Sequence, residues 1–528
     1  MMKKAIKKLL AALLAVAMVC AMAIPAFAYN PGETKEDLNT KHDYGAFQIF
    51  EGVISKDNET LSDVNWGQNI TEPDIFLANL KNDPTIGEKF ETAATAQDVL
   101  AVISKWHDSD DNSIAFARVV CHYLYPDANA NPTPVATDHT GGINIPKSGY
   151  YLIVDTSTFS DDDIYHAYNS FFLLNVPQTP YVVLVNHKVV KPTVEKEVYD
   201  NNDIGSTGGW GSSADHAINE PFQFRLIAKL PASENNGRAY DYYKEYAVCF
   251  TDTLSDGITF DKLDTVEITN GDGSTPQVIN NYTLDPNNPQ SSFKLSIDDV
   301  KTCVPDLNKG ATITVTYTAH LNEKAYVNTV GGGTDNKNSV YLEYSNNPRI
   351  STSLDHTTTS EVCVYTYQLN NTKHQDSENG PVLEGAGFRL YSDKACHDED
   401  EIKLKMNDDG TYSRDFSTEG KGVEMISGQD GQFNVKGLDA GTYYLKETKT
   451  PDGYGACANK EIVISATHDV NHVDLSGNLS TTIINKKAGG ITLPSTGGIG
   501  TTIFYVVGGG LMVAAIVLLV TKKRMENK

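Results

Sequence analysis

The chain has 528 residues and a formal net charge of -25, with 68 acidic residues against 43 basic ones. Neutralising phosphates needs clustered Lys and Arg, so this balance argues against nucleic acid or an anionic membrane surface as partner; such acidity suits a soluble extracellular chain. The length allows about three domains, and abundant Tyr, Thr, Val and Asn with recurrent turn residues predict a mainly β chain of tandem β-sandwiches.

Residues 1–28 begin with Lys3, Lys4, Lys7 and Lys8, continue as an apolar stretch from Leu9 to Ile24, and end in Ala26-Phe27-Ala28. That order is a secretory signal with its cleavage site, so the mature chain is expected to start near Tyr29. Cys20 leaves with the signal. The other six cysteines are widely spaced with no C-x-x-C pairing, which gives no support to zinc or thioredoxin-like chemistry. Cys249/Cys303 and Cys396/Cys457 are the candidate disulfides within domains.

In the first domain, 29–190, Ala46 to Phe50 and Gly149 to Val154 read as strands, and Ala96 to Trp106 as an amphipathic helix. Asp108-Ser109-Asp110-Asp111-Asn112 lacks the Gly and distal Glu of an EF-hand, so it reads as a solvated acidic loop. Neither a metal nor a cofactor is predicted. The domain ends in a strand, Tyr181 to Val185, then Asn186-His187-Lys188 and a proline-marked boundary at Lys191-Pro192. An exposed lysine at such a junction is accessible to an incoming acyl group.

In the second domain, 191–356, strand alternation puts Lys196 on the face of Val194 and Val198. The same parity puts Asp252 in line with Val248, Phe250 and Leu254, and Asn338 in line with Val340, Leu342 and Tyr344. The third domain, 357–488, repeats the order: Lys373 shares parity with Tyr367 and Leu369, Glu447 with Tyr443 and Leu445, and Asn485 with Ile483. Burial lowers a lysine pKa and raises a carboxyl pKa. A neutral amine could then attack the Asn amide with the acid assisting and expel ammonia. The competing account is a buried ion pair with Asn as a hydrogen-bond partner.

The last segment, 489–528, holds Leu493-Pro494-Ser495-Thr496-Gly497, an uncharged run from Ile503 to Val520 of membrane-spanning length, and Lys522, Lys523 and Arg524. The basic cluster orients the remainder outside the cell. No HExxH, GxSxG or clustered acid pair indicates a hydrolase.

The C-terminal triplet of pentapeptide, apolar span and basic tail resembles the sorting signal of Gram-positive surface proteins. The resemblance implies that a sortase cleaves between Thr496 and Gly497 and passes the Thr496 acyl group to an amine of the wall precursor or of another pilin. Asn186-His187-Lys188 stands where polymerising backbone pilins carry a Tyr-Pro-Lys pilin motif, which implies Lys188 as the acceptor, with Lys191 the alternative. Tyr443-Tyr444-Leu445-Lys446-Glu447-Thr448 with Pro451-Asp452-Gly453-Tyr454 is similar to the E-box of SpaA/Cna-B-type domains, and Leu383 to Phe388 to their second strand. Phe250 to Leu254 and Asn338 to Pro348 are similar to the fimbrial isopeptide-forming domain.

These resemblances imply tandem immunoglobulin-like sandwiches, a bond from Lys373 to Asn485 assisted by Glu447, and one from Lys196 to Asn338 assisted by Asp252. Asn336 is the alternative partner of Lys196. The function implied is a structural subunit of a wall-anchored surface pilus, not a turnover enzyme, with sortase, other pilin subunits and peptidoglycan as partners. The alternative is a monomeric wall-anchored adhesin whose first domain binds a host surface ligand.

Overall fold

The computed structural model describes residues 42–525 except 55–60, 108–109, 139–141, 159–167, 177–180, 185–190, 202–207, 234–236, 287–290, 329–335, 418, 478 and 490–498. The signal segment, Lys188 and Leu493 to Gly497 lie outside the described residues. The chain is mainly β, as its composition predicts: strands form several sheets in three successive units, and an apolar helix follows.

The first unit is built on Tyr44–Ile54, paired antiparallel with Leu61–Trp66 on one side and Gly149–Asp155 on the other. One face of this sheet carries Phe47, Phe50, Leu152 and Val154 and packs against helices Pro73–Asn82, Ala96–Ile103 and Asp111–Leu124. The opposite face sets Tyr44, Ala46, Tyr151 and Ile153 against Ile143, Ile145 and Val183. The helix expected from Ala96 onward begins at a capping box, in which the Thr95 hydroxyl accepts from the Asp98 amide and the Asp98 carboxylate accepts from the Thr95 amide. It ends at Ile103.

The other two helices add to the sequence reading. Asp111–Leu124 buries Ile114 through Ala117 as well as Val119, Val120, Cys121 and Leu124, so it has no single apolar stripe to betray its period. Asp111 and Asn112, read as part of a loop, are its first residues. The Asp110 carboxylate before them accepts from the His107 amide at 3.0 Å.

The second unit is a sandwich of two sheets. One has strands in the spatial order 277–278, 258–270, 311–321, 221–230, 193–200 and 209–211; the other runs 213–215, 360–365, 337–345, 248–254, 293–297 and 283–285. Ala311–Leu321 alternates buried and half-buried at all eleven positions, the pattern of a strand with one face on a core. Phe224, Leu226, Val315 and Tyr317 meet Phe250, Leu295 and Leu342 between the sheets. Ser360–Tyr365 pairs antiparallel with Lys337–Ser345; its Val362 and Val364 lie in the core of this sandwich and its Cys363 and Tyr365 in that of the third unit, so the strand joins the two units just past the 356/357 boundary expected from sequence.

The third unit also has two layers. Tyr367–Gln375, its first strand, lies parallel to its last, Ser480–Asn485, with Lys373 opposite Ile483 and Gln375 opposite Asn485. The facing sheet contains Gly387–Tyr391, Gly441–Lys449 and Lys460–His468. Phe388 and Phe433 stack at 4.3 Å in the core between them. Beyond this unit Ile499–Met525 forms one helix with Lys522, Lys523 and Arg524 in its last turn. Its Tyr505–Met525 segment is long and apolar enough to cross a membrane.

Both junctions are made by specific contacts. Between the first and second units the Arg349 guanidinium lies over the rings of Tyr125 at 5.0 Å and Tyr168 at 4.4 Å, and Arg238 pairs with Asp111. Between the second and third, the Ile218 amide donates to the Gly437 carbonyl at 3.0 Å, and the Asn219 side chain donates to the Arg414 carbonyl at 2.9 Å. Gly437 has φ +74°, and a Cβ there would stand 2.4 Å from the Ile218 side chain. Gly437→Ala combines left-handed strain with overpacking and should cost about 2–4 kcal/mol in urea unfolding. Adding Ile218→Ala should recover the packing share of that loss; no recovery would mean that the two units do not meet at this glycine.

Candidate functional site

Three groups predicted to share the second interior do so from opposite sheets. Lys196 comes from Thr193–Asp200, while Asp252 and Asn338 come from the adjacent strands Val248–Leu254 and Lys337–Ser345 of the facing sheet. All three are buried, Asp252 and Asn338 completely. The Lys196 ammonium donates to Asp252 Oδ2 and, at 3.2 Å, to the Tyr317 hydroxyl. Tyr317 donates to Asp252 Oδ1 at 3.3 Å and accepts from Asn338 Nδ2 at 2.6 Å. Nζ also lies 5.3 Å from the Phe224 ring centre and 5.4 Å from that of Tyr317.

Burial dominates the electrostatics. It lowers the Lys196 pKa to about 8 although Asp252 pulls it upward, and it raises that of Asp252 although Lys196 pulls it downward. Both shifts favour a neutral amine beside a neutral acid. Asn336, the alternative partner, is engaged elsewhere: its side chain accepts from the Tyr326 amide and donates to the Tyr326 carbonyl, both at 2.7 Å.

In the third unit the arrangement is more direct. The Lys373 ammonium donates to Asn485 Oδ1, and its nitrogen is 3.8 Å from Glu447 Oε1. Asn485 Nδ2 donates to that same Oε1 at 2.7 Å. The other carboxylate oxygen accepts from the Thr450 hydroxyl at 3.0 Å and from the Cys457 amide at 2.9 Å, which fixes its orientation. Burial lowers the Lys373 pKa against the upward pull of Cys457 and Glu447, and Nζ is 5.7 Å from the Phe388 ring centre. The amine therefore faces the amide carbonyl, and the acid faces the amide nitrogen.

Sequence reasoning did not single out Tyr317, Thr450 or Cys457. Tyr317 had a readable signal, since it occupies an inward position of an alternating strand and a buried phenol needs a hydrogen-bond partner. Thr450 and the Cys457 amide follow the Glu447 strand and meet its carboxylate only through the path of the loop. Lys191, the alternative acceptor, is half-buried just before Thr193–Asp200. The two candidate disulfides are not formed: Cys249, Cys303, Cys396 and Cys457 are free thiols.

Residues 369–478 match the family model of the SpaA prealbumin-like fold domain. Residues 485–527 match that of the LPXTG cell wall anchor motif, so the chain carries a wall anchor at its C-terminal end. No curated protein matches the chain. Among solved structures it is similar to the T6 backbone pilin of serotype M6 Streptococcus pyogenes, at 15% identity and TM-score 0.46 over 85% of this chain and 97% of that one. It is also similar to a 35 kDa C-terminal fragment of the major pilin GBS80 of Streptococcus agalactiae, at 21% identity and TM-score 0.40 over 56% and 99%. The full-length major pilin SpaD from Corynebacterium diphtheriae is a third, at 22% identity and TM-score 0.39 over 65% and 80%.

An Asn338→Ala chain keeps Lys196 as a free amine and gives a pH test. A folded value near 8 lies below the ordinary 10.5, so the unfolded chain holds the proton more tightly. The resulting destabilisation is complete below about pH 8 and is relieved as pH rises towards 10.5. Across that window Asn338→Ala should gain stability relative to Asn338→Ala/Lys196→Met in urea titrations. A constant or falling difference would contradict a depressed lysine.

Proposed function

We propose that the chain is a structural subunit of a covalently polymerised surface pilus, stabilised by Lys-Asn isopeptide bonds within its second and third units. The observation that carries this reading is the Lys373 amine hydrogen-bonded to the side-chain carbonyl of Asn485, with Glu447 against the nitrogen that would leave, in a chain bearing an LPXTG wall anchor.

The chemistry balances without a cofactor. Lys373 gives its ammonium proton to Glu447, whose Oε1 is 3.8 Å away. The free amine attacks Asn485 Cγ, the Nζ–Cγ bond forms, and the Cγ–Nδ2 bond breaks as Glu447 gives its proton to the departing nitrogen and takes up the second proton of Nζ. One ammonia leaves. Lys196, Asp252 and Asn338 are assigned the same roles, with Tyr317 holding the amide nitrogen and the acid in one network. Each site acts once on its own chain, so the protein is not a turnover enzyme.

Polymerisation would use the other end of the same chemistry. Sortase would cleave at Thr496-Gly497 within Leu493 to Gly497 and join Thr496 of one subunit to Lys188 of the next, or to Lys191. The last acyl transfer would go to peptidoglycan. The wall anchor and the SpaA prealbumin-like match of the third unit support this reading together.

Each bond should remove about 17 Da from the intact mass through the loss of NH3. Glu447→Gln should abolish the deficit of the third unit alone, and Asp252→Asn that of the second. Lys373 and Asn485 are 112 positions apart, and closing a loop of that size stabilises by about 5 kcal/mol in the chain-entropy treatment. Lys373→Ala should lower stability by at least that amount. A wild-type mass equal to the translated composition would refute the cross-links.

On the native cell surface, a boiling-resistant ladder should collapse to monomer in a Lys188→Ala strain. Loss with Lys191→Ala instead would move the acceptor, and no ladder in wild type would leave the anchored adhesin as the function.

A further inference from the structure

At the junction between the second and third units, Asp200, Asp215 and His468 bring one ligand atom each within 4.8 Å of one another. Asp200 ends the first strand of the second sandwich, Asp215 ends a short strand on the facing sheet, and His468 ends a strand of the third unit. Both aspartates are fully buried. Neither carboxylate oxygen of Asp215 has a hydrogen-bond partner, which is a costly state for a buried charge.

The orientation of His468 follows from its neighbours. His468 Nδ1 lies 2.9 Å from the Ser213 hydroxyl, whose oxygen is also 3.4 Å from the His468 carbonyl, and His468 Nε2 lies 3.7 Å from Asp200 Oδ2. A hydrogen bond at the far ring nitrogen orients the imidazole, as it ordinarily does for a metal-ligating histidine. Asp200 Oδ2 accepts from the Asp215 amide at 3.3 Å, which holds the carboxylates on the same side.

We propose that Asp200, Asp215 and His468 form a divalent metal site, with Zn2+ the best-fitting ion, that fastens the second unit to the third. A protonated His468 would balance only one of the two carboxylates. A divalent ion balances both and supplies the coordination that Asp215 lacks. Zinc accepts mixed imidazole and carboxylate donors at about 2.0–2.2 Å, which places ligand atoms about 3.4 Å apart in a tetrahedron. The Asp200 to His468 separation is close to that, and small side-chain rotations bring Asp215 in. Calcium prefers six to eight oxygens and is a poorer match to an imidazole. The sequence reading expected no metal because the ligands come from three separate strands in two units and have no local spacing to recognise.

The test uses the full chain purified in detergent, stripped with chelator and then incubated with Zn2+. Elemental analysis after gel filtration should find one tightly held ion per chain, and the unfolding midpoint should rise by several degrees. Asp215→Asn and His468→Gln should each lose both effects while keeping the isopeptide mass deficits. Absence of retained Zn2+ in wild type, or equal retention in His468→Gln, would overturn the site. His468→Gln decides the matter if Asp215→Asn does not fold.

Discussion

A lysine enclosed in a β-sandwich has to lose its charge, find an opposite charge, or react. Desolvation of an ammonium costs several kcal/mol even after relaxation, and a carboxylate beside it repays this only with favourable geometry. Both sandwiches put the amine against aromatic rings beside an acid, and an asparagine amide joins the network, directly in the third unit and through Tyr317 in the second. An ion pair alone would explain the lysine and the acid. Asn485 completes it by accepting from the amine and donating to Glu447, and the same orientation sets the acid against the nitrogen that amide exchange would release.

The two sites differ in how far their geometry is prepared. In the third unit the acid is held by Thr450 and the Cys457 amide and acts on Asn485 directly. In the second, Tyr317 stands between, accepting from both Lys196 and Asn338 while donating to Asp252. Asn338 Oδ1 is buried there without a partner. An unsatisfied buried carbonyl costs about 1–3 kcal/mol, and such a cost leaves the amide less settled than in the third unit. Burial raises the Tyr317 pKa well above its ordinary value, so it acts as a neutral relay that can donate and accept.

Strand parity made the six groups at these sites legible in the sequence, because a period of two assigns a face to every residue of a half-buried strand. It cannot say which strands face each other, so the inward position of Tyr317 on Ala311–Leu321 was readable but its place between Lys196 and Asn338 was not. Helical periodicity found Ala96–Ile103 but passed over Asp111–Leu124, which is apolar on nearly all sides. The junction past 356/357 is hard to read for a related reason: Ser360–Tyr365 pairs with Lys337–Ser345 of the second unit, while its Cys363 and Tyr365 lie in the core of the third. The junction cluster of Asp200, Asp215 and His468 depends on contacts between units and has no signature in any one stretch.

The placement of the links also decides where tension would go. With both bonds made, force entering the second unit at Lys196 leaves through Asn338, and force entering the third at Lys373 leaves through Asn485, so the loops between are bypassed. The stretch from Asn338 to Lys373 is outside both loops. Within it, Lys337–Ser345 and Ser360–Tyr365 form an antiparallel pair with Asn338 opposite Val362, and pulling its neighbouring ends apart opens the ladder one bond at a time. What opposes that opening is the parallel pairing of Ser360–Tyr365 with Ser213–Asp215, the bond from the Tyr365 hydroxyl to the Asp469 carbonyl at 2.8 Å, and the Ile218 contact with Gly437. The resistance of such a shaft would therefore be set by the junction, and a metal ion joining Asp200 and Asp215 to His468 would reinforce the stretch between the two loops, which neither covalent link protects.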